Sequence, residues 1–141
     1  MARRARRGAP LLVSVLDDLE EGRLLPTTQP DEGASLAPKI TADDRVLDLA
    51  RPAAELERRV RALSPHIGAT CRIGGEPFKV WRVRARAEGA PPGLSTGDGT
   101  LLAGCAEGSL EMLELQPPGR GRMDVGAFLR GWRGGLEWGT G

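Results

Sequence analysis

The texture of the chain changes at Ser64-Pro65, and that change narrows the folds open to it. Before it, apolar residues recur at helical spacing. After it, short apolar runs alternate with glycine pairs and turns. Residues 9–21 read as a helix with Leu12, Val15, Leu16 and Leu19 in one stripe, Pro10 in its first turn and Gly22 at its end. Pro26, Pro30, Gly33 and Pro38 break regular structure, so 23–40 reads as a linker. Thr41 with Asp43 and Asp44 is expected to cap a short helical turn, and Val46, Leu47 and Leu49 to form a short buried segment. A second helix is predicted from Pro52 to Leu63, with Leu56, Val60 and Leu63 on its inner face.

Beyond the break, Ala69–Ile73 is expected as a strand, Gly74-Gly75 as a turn and Phe78–Ala87 as the next strand. Alternation along that second strand puts Lys79, Trp81, Val83 and Ala85 on one face. Phe78 and Val80 then share the other face with Arg82, Arg84 and Arg86. Leu94–Thr96, Thr100–Cys105 and Ser109–Leu115 bring the total to about five strands, with Asp98-Gly99 as a hairpin signal. Met123–Arg130 reads as a short helix holding Phe128 and Leu129. The glycine-rich tail from Gly131 is expected to be loose. The fold class is therefore mainly β with flanking helices, a small open antiparallel β-barrel of the oligonucleotide/oligosaccharide-binding type.

At 141 residues the chain has room for one domain with attached pieces, not for a two-domain enzyme with its own cofactor fold. Its formal net charge of +1 excludes a strongly basic nucleic-acid coat, although the charges come in blocks. Arg3, Arg4, Arg6 and Arg7 open the chain, acids dominate from Asp17 to Glu32, and Arg72, Lys79, Arg82, Arg84 and Arg86 form a second basic stretch. Cys71 and Cys105 lack metal spacing and read as reduced core cysteines. No apolar run reaches the roughly 18 residues of a membrane span, and the start lacks a signal-peptide cleavage site.

No catalytic constellation is visible. The sole histidine, His66, has no neighbouring nucleophile or carboxylate and reads as structural or solvated. Asp17-Asp18 and Glu20-Glu21 read as a solvated helix face, and neither glycine-rich stretch has the strand-to-helix context of a phosphate loop. Two features point toward phosphate. Arg82, Arg84 and Arg86 alternate along one strand, about 6 to 7 Å apart on one face, near the spacing of successive phosphates. Arg120 and Arg122 lie in a Pro/Gly loop able to approach a backbone. An ordinary solvated strand edge explains the first feature equally well, and Trp81 reads as core filler or as a platform for a base.

Three strings add up to a resemblance. They are Ser35-Leu36-Ala37-Pro38-Lys39-Ile40-Thr41, Phe78-Lys79-Val80-Trp81-Arg82, and Leu113-Glu114-Leu115-Gln116-Pro117-Pro118-Gly119-Arg120-Gly121-Arg122-Met123 followed by Phe128-Leu129-Arg130-Gly131. In order and spacing they resemble the C-terminal half of bacterial methionyl-tRNA formyltransferases, over residues 9–131. Ser64-Pro65-His66-Ile67-Gly68 departs from the family's Asn-Pro-Trp-Pro-Gly, and Arg120-Gly121-Arg122 from its consecutive basic residues.

The resemblance implies a domain plan. Residues 1–22 correspond to the last helix of the family's catalytic domain, 23–45 to a linker, 46–131 to the barrel and 132–141 to a flexible tail. It implies initiator methionyl-tRNA as partner, with the catalytic domain in cis or in trans, and neither DNA nor membrane. Lys39, Arg82, Arg84, Arg120 and Arg122 are the expected tRNA-backbone contacts. The family's formyl donor, 10-formyltetrahydrofolate, and its catalytic residues belong to an N-terminal domain that nothing here matches. No cofactor is therefore expected in this chain, and whether it counts as an enzyme stays open. A cytoplasmic role in translation initiation is implied. A truncated or split non-catalytic RNA-binding module, or a remnant, is the alternative.

Overall fold

The computed structural model describes residues 2–30 and 32–140, with side chains from residue 8 onward. The side chains of Arg3, Arg4, Arg6 and Arg7 thus lie outside the described residues. The chain divides into two compact units, Met1–Pro38 and Lys39–Gly141.

The first unit is built on helix α1, Ala2–Glu20. It begins earlier than the apolar stripe predicts, and Pro10 lies inside it rather than in its first turn. A proline there lacks the N–H that would reach back one turn. Gly22 follows the helix at φ +69°, the left-handed conformation in which helices commonly end. Arg23 folds back to donate from Nε to Asp18 Oδ1 at 2.9 Å. Most of the stripe is exposed: Leu12 is 60% exposed, Leu16 52% and Leu19 37%.

The second unit is a nearly closed antiparallel barrel. It contains a 3-10 turn at Asp43–Arg45, helix α2 (Ala53–Leu63), strands β1 (Ala69–Ile73), β2 (Glu76–Arg86), β3 (Gly93–Gly97), β4 (Thr100–Gly104), β5 (Ser109–Gln116) and β6 (Met123–Asp124), helix α3 (Val125–Gly131) and strand β7 (Trp138–Gly139). Strand order is β3-β4-β5-β2-β1-β7, with β6 against β5. The Asp98-Gly99 signal forms the β3–β4 hairpin, with φ +49° and +72° at its two residues, as a two-residue turn with both φ positive requires. Thr41 and Asp44 clasp each other across the 3-10 turn: Asp44 Oδ2 accepts from the backbone N–H and the hydroxyl of Thr41, both at 2.8 Å, and the Asp44 N–H donates to Thr41 Oγ1 at 3.4 Å. Leu56, Val60 and Leu63 bury the inner face of α2, as their spacing predicts.

Two expectations are corrected. First, the alternation along β2 does not hold. Phe78 and Val80 point inward, but so do Trp81 and Val83, while Arg82, Arg84 and Arg86 are exposed. The register is irregular around Arg82, and β5 shifts its inward residues at the same level, from Met112 to Leu115. Both strands change phase together, so the arginines leave the face of Phe78 and Val80 and join that of Lys79. Second, the tail is not loose. Trp138 and Gly139 pair with Ile73 and Arg72, and Gly74 N–H donates to Glu137 O at 2.9 Å. Trp132, Leu136 and Trp138 pack against the core, so apolar side chains anchor a segment that its glycines suggest is mobile. Phe78 meets Phe128 edge-on at 5.5 Å and Trp132 at 5.2 Å.

Candidate nucleic-acid interface

The two groups of arginines expected to touch phosphate have different surroundings. On the outer face of β2, Arg82 stands opposite Glu114 and Arg84 opposite Glu111 on β5. The Glu111 side chain is only 10% exposed. Its Oε2 accepts from Arg86 Nε at 3.0 Å, with Arg86 Nη2 at 2.8 Å and Arg84 Nη1 at 3.5 Å. Three guanidinium groups therefore share a face with two carboxylates, which weakens the field that an evenly spaced basic row would project.

The second group lies in the β5–β6 connection, Pro117 to Arg122, which is fastened to Trp81. The indole is 6% exposed yet stands apart from the main core cluster. Its Nε1–H donates to Gln116 Oε1 at 3.0 Å, and Gln116 Nε2 donates to the Arg120 carbonyl at 3.0 Å. The Arg122 guanidinium stacks on the ring, 3.3 Å from its centroid, and Nη2 donates to the Pro65 carbonyl at 2.5 Å. Beneath the ring sits Gly68 at φ +81°, where a Cβ would lie 3.0 Å from ring carbons. Only glycine combines that backbone conformation with that approach. Ser64 Oγ closes the arrangement by donating to the Trp81 carbonyl at 2.6 Å. Of the two readings of Trp81, burial favours core filler over base platform: the residue is only 6% exposed, with Arg122 and Gly68 against its ring.

Lys39 is exposed at the start of the second unit, and Arg120 is exposed with no ion pair among the described residues. Arg122, although exposed overall, spends its planar face and one Nη on the protein. The structure thus brings Arg120 and Arg122 into one loop, puts Arg82 and Arg84 on a strand face beside carboxylates, and leaves Lys39 in a separate segment. Two residues outside the expected contacts belong with the loop. Lys79 has its Nζ 5.7 Å from the Trp81 ring, and Gln116 ties that ring to the loop. The signal was the Leu-Gln-Pro string itself, whose glutamine has an uncharged role.

Beside the loop runs a groove of about 360 Å³, bordered by Phe78, Lys79, Gln116 and Pro117. Among the described residues, no carboxylate or imidazole lines it. Among the described residues no three metal-ligating side chains converge. Burial pushes the Cys71 thiol up to about 12 and raises that of Cys105 as well, so neither is primed as a nucleophile.

Comparison with known proteins places this geometry. Residues 39–133 match the family of the formyl transferase C-terminal domain. A methionyl-tRNA formyltransferase of Rubrobacter xylanophilus is 48% identical over 134 residues, covering 90% of this chain and 44% of that protein. One from Myxococcus xanthus is 43% identical over 129 residues, covering 90% and 41%. The chain therefore spans less than half the length of these curated relatives. Among solved structures, a HypX variant from Aquifex aeolicus superposes with a TM-score of 0.61 at 18% identity, over 84% of this chain and 22% of that one, a likeness of fold. The chain belongs to the formyl transferase C-terminal domain family, in the form found in the C-terminal part of methionyl-tRNA formyltransferases.

Proposed function

We propose that this chain holds initiator methionyl-tRNA by its backbone for formyl transfer, in cytoplasmic translation initiation. The observation that carries the reading is the exposed Arg120 on a loop fastened at both ends to Trp81, without a carboxylate partner among the described residues. Lys39 and Arg120 are the strongest proposed contacts. Arg82 follows, and Arg84 ranks lower because Glu111 already engages it. Such contacts position an RNA and do not read its sequence. The contribution to the reaction is orientation, holding the aminoacyl end in register with chemistry done elsewhere. No step of formyl transfer, and no contact to 10-formyltetrahydrofolate, is assigned to residues of this chain.

The test is binding of initiator tRNA to the full chain across a salt series. Three phosphate contacts on duplex RNA predict an affinity falling with a log–log slope of about −2 to −3. Absent or salt-independent binding overturns the reading.

A second element of the proposal is the partner. The exposed leucines of α1 suit an apolar surface of a formyltransferase catalytic domain, in cis or in trans. Mixing this chain with such a domain is expected to give a complex that Leu12→Ser with Leu16→Ser abolishes. No complex, or one indifferent to those changes, sinks the docking role. No described helix is long and apolar enough to cross a membrane.

A further inference from the structure

We infer that Gln116 and Arg122 are positioning residues for RNA binding, acting through the main chain of Arg120. The inference rests on the tRNA-holding reading and deepens it. The geometry separates two roles that charge alone merges. Arg122 lies against the Trp81 ring at 3.3 Å and binds the Pro65 carbonyl through Nη2, so its planar face and one of its donor groups are committed to the fold. Gln116 spans the gap between ring and loop, accepting from Trp81 Nε1 and donating to the Arg120 carbonyl, both at 3.0 Å. Between these two fastenings lie Pro117, Pro118, Gly119, Arg120 and Gly121. Gly119 at φ +68° and Gly121 would leave Arg120 with a wide range of directions if the loop were untied. The Arg120 N–H donates to the Pro117 carbonyl at 3.3 Å, a turn too weak to fix it alone. The ring is anchored in turn by Ser64 at its own carbonyl and by Gly68 beneath it. The Trp81 platform therefore fixes in advance where one cation meets a phosphate, which lowers the ordering entropy lost on binding.

The inference makes an uncharged residue matter to an electrostatic quantity. The experiment measures initiator tRNA binding across salt for the full chain and for Gln116→Ala, Arg120→Ala, their combination and Arg122→Lys, with thermal unfolding to verify each fold. Arg120→Ala is expected to weaken binding about fivefold at physiological salt and to reduce the slope by about 0.9, one counterion's worth. Gln116→Ala removes no charge, yet is expected to give most of that loss and to lower the slope as well. In the Arg120→Ala background, Gln116→Ala is expected to add less than about 1.5-fold, because both act on one contact. Arg122→Lys keeps the charge but loses the flat stack and the fork, and is expected to behave like Gln116→Ala.

A Gln116→Ala protein that binds like wild type, or losses that multiply in the double variant, overturns the role of Gln116. Wild-type binding by Arg122→Lys makes Arg122 a direct charge contact instead. A wild-type chain without tRNA affinity removes the underlying reading, and this inference with it.

Discussion

The arginines of β2 and those of the β5–β6 loop are the same residue type at similar exposure, yet their surroundings fit them for different tasks. Arg84 and Arg86 converge on Glu111, a carboxylate nearly removed from water. Arg120 has no ion-pair partner among the described residues and is aimed by neutral groups. A cation that already has a carboxylate must give it up, or share it, before it can serve a phosphate. The paired Arg84 and Arg86 stabilise a strand pair; the unpaired Arg120 remains available to an outside anion.

The contrast is open to attack, starting with the largest expected effect. Glu111→Ala leaves Arg84 and Arg86 without their shared acceptor and is expected to destabilise the fold by about 2 to 3 kcal/mol, measured by denaturant unfolding. The same variant frees two cations, so its affinity for RNA should rise. A variant both destabilised and unable to bind better would remove the claim that Glu111 restrains this face. Next, Arg120→Ala should weaken tRNA binding by about 1 kcal/mol, whereas Arg84→Ala should cost less than about half of that. Equal losses at the two positions would erase the distinction.

The smallest effect concerns a carboxylate held by neutral donors, as the loop is. The Thr41 backbone N–H, then the Thr41 hydroxyl, then the charge of Arg59 hold Asp44 below its ordinary carboxylate range. A carboxylate lowered on folding adds stability above its unfolded pKa and loses it as pH falls through the folded value. Thr41→Ala should therefore move the Asp44 titration upward, followed by NMR, and shift the acid limb of stability slightly toward neutral pH. An unchanged midpoint would show that the hydroxyl contributes nothing.

Much of the barrel was legible because its signals are local. The helical spacing of Leu56, Val60 and Leu63, the Asp98-Gly99 turn and the glycine pair at Gly74-Gly75 each specify their element from neighbouring residues alone. The misread face of β2 has a different origin. Its phase change is shared with β5, thirty residues away, and strict alternation within one strand contains no trace of it. The ordered tail was missed for a similar reason. Its glycines announce flexibility, while the partners of Trp132 and Trp138 lie on strands far earlier in the chain. At the candidate interface, charge counting found Arg120 and Arg122 but not their unlike roles. Those depend on the position of an indole ring, and the residue that connects ring to loop is an uncharged glutamine.

The short pairing of Trp138–Gly139 with β1 has a consequence for solution behaviour. One side of β1 is taken by β2, and among the described residues the other pairs only with those two residues and, through a single bridge at Thr70, with Val46. The family match stops at residue 133, before that cover begins. A chain shortened there would present unsatisfied main-chain donors and acceptors along Arg72 and Ile73, a template on which a second molecule could add a strand. The last few residues shield that edge, and losing them is expected to promote self-association as the protein concentration rises.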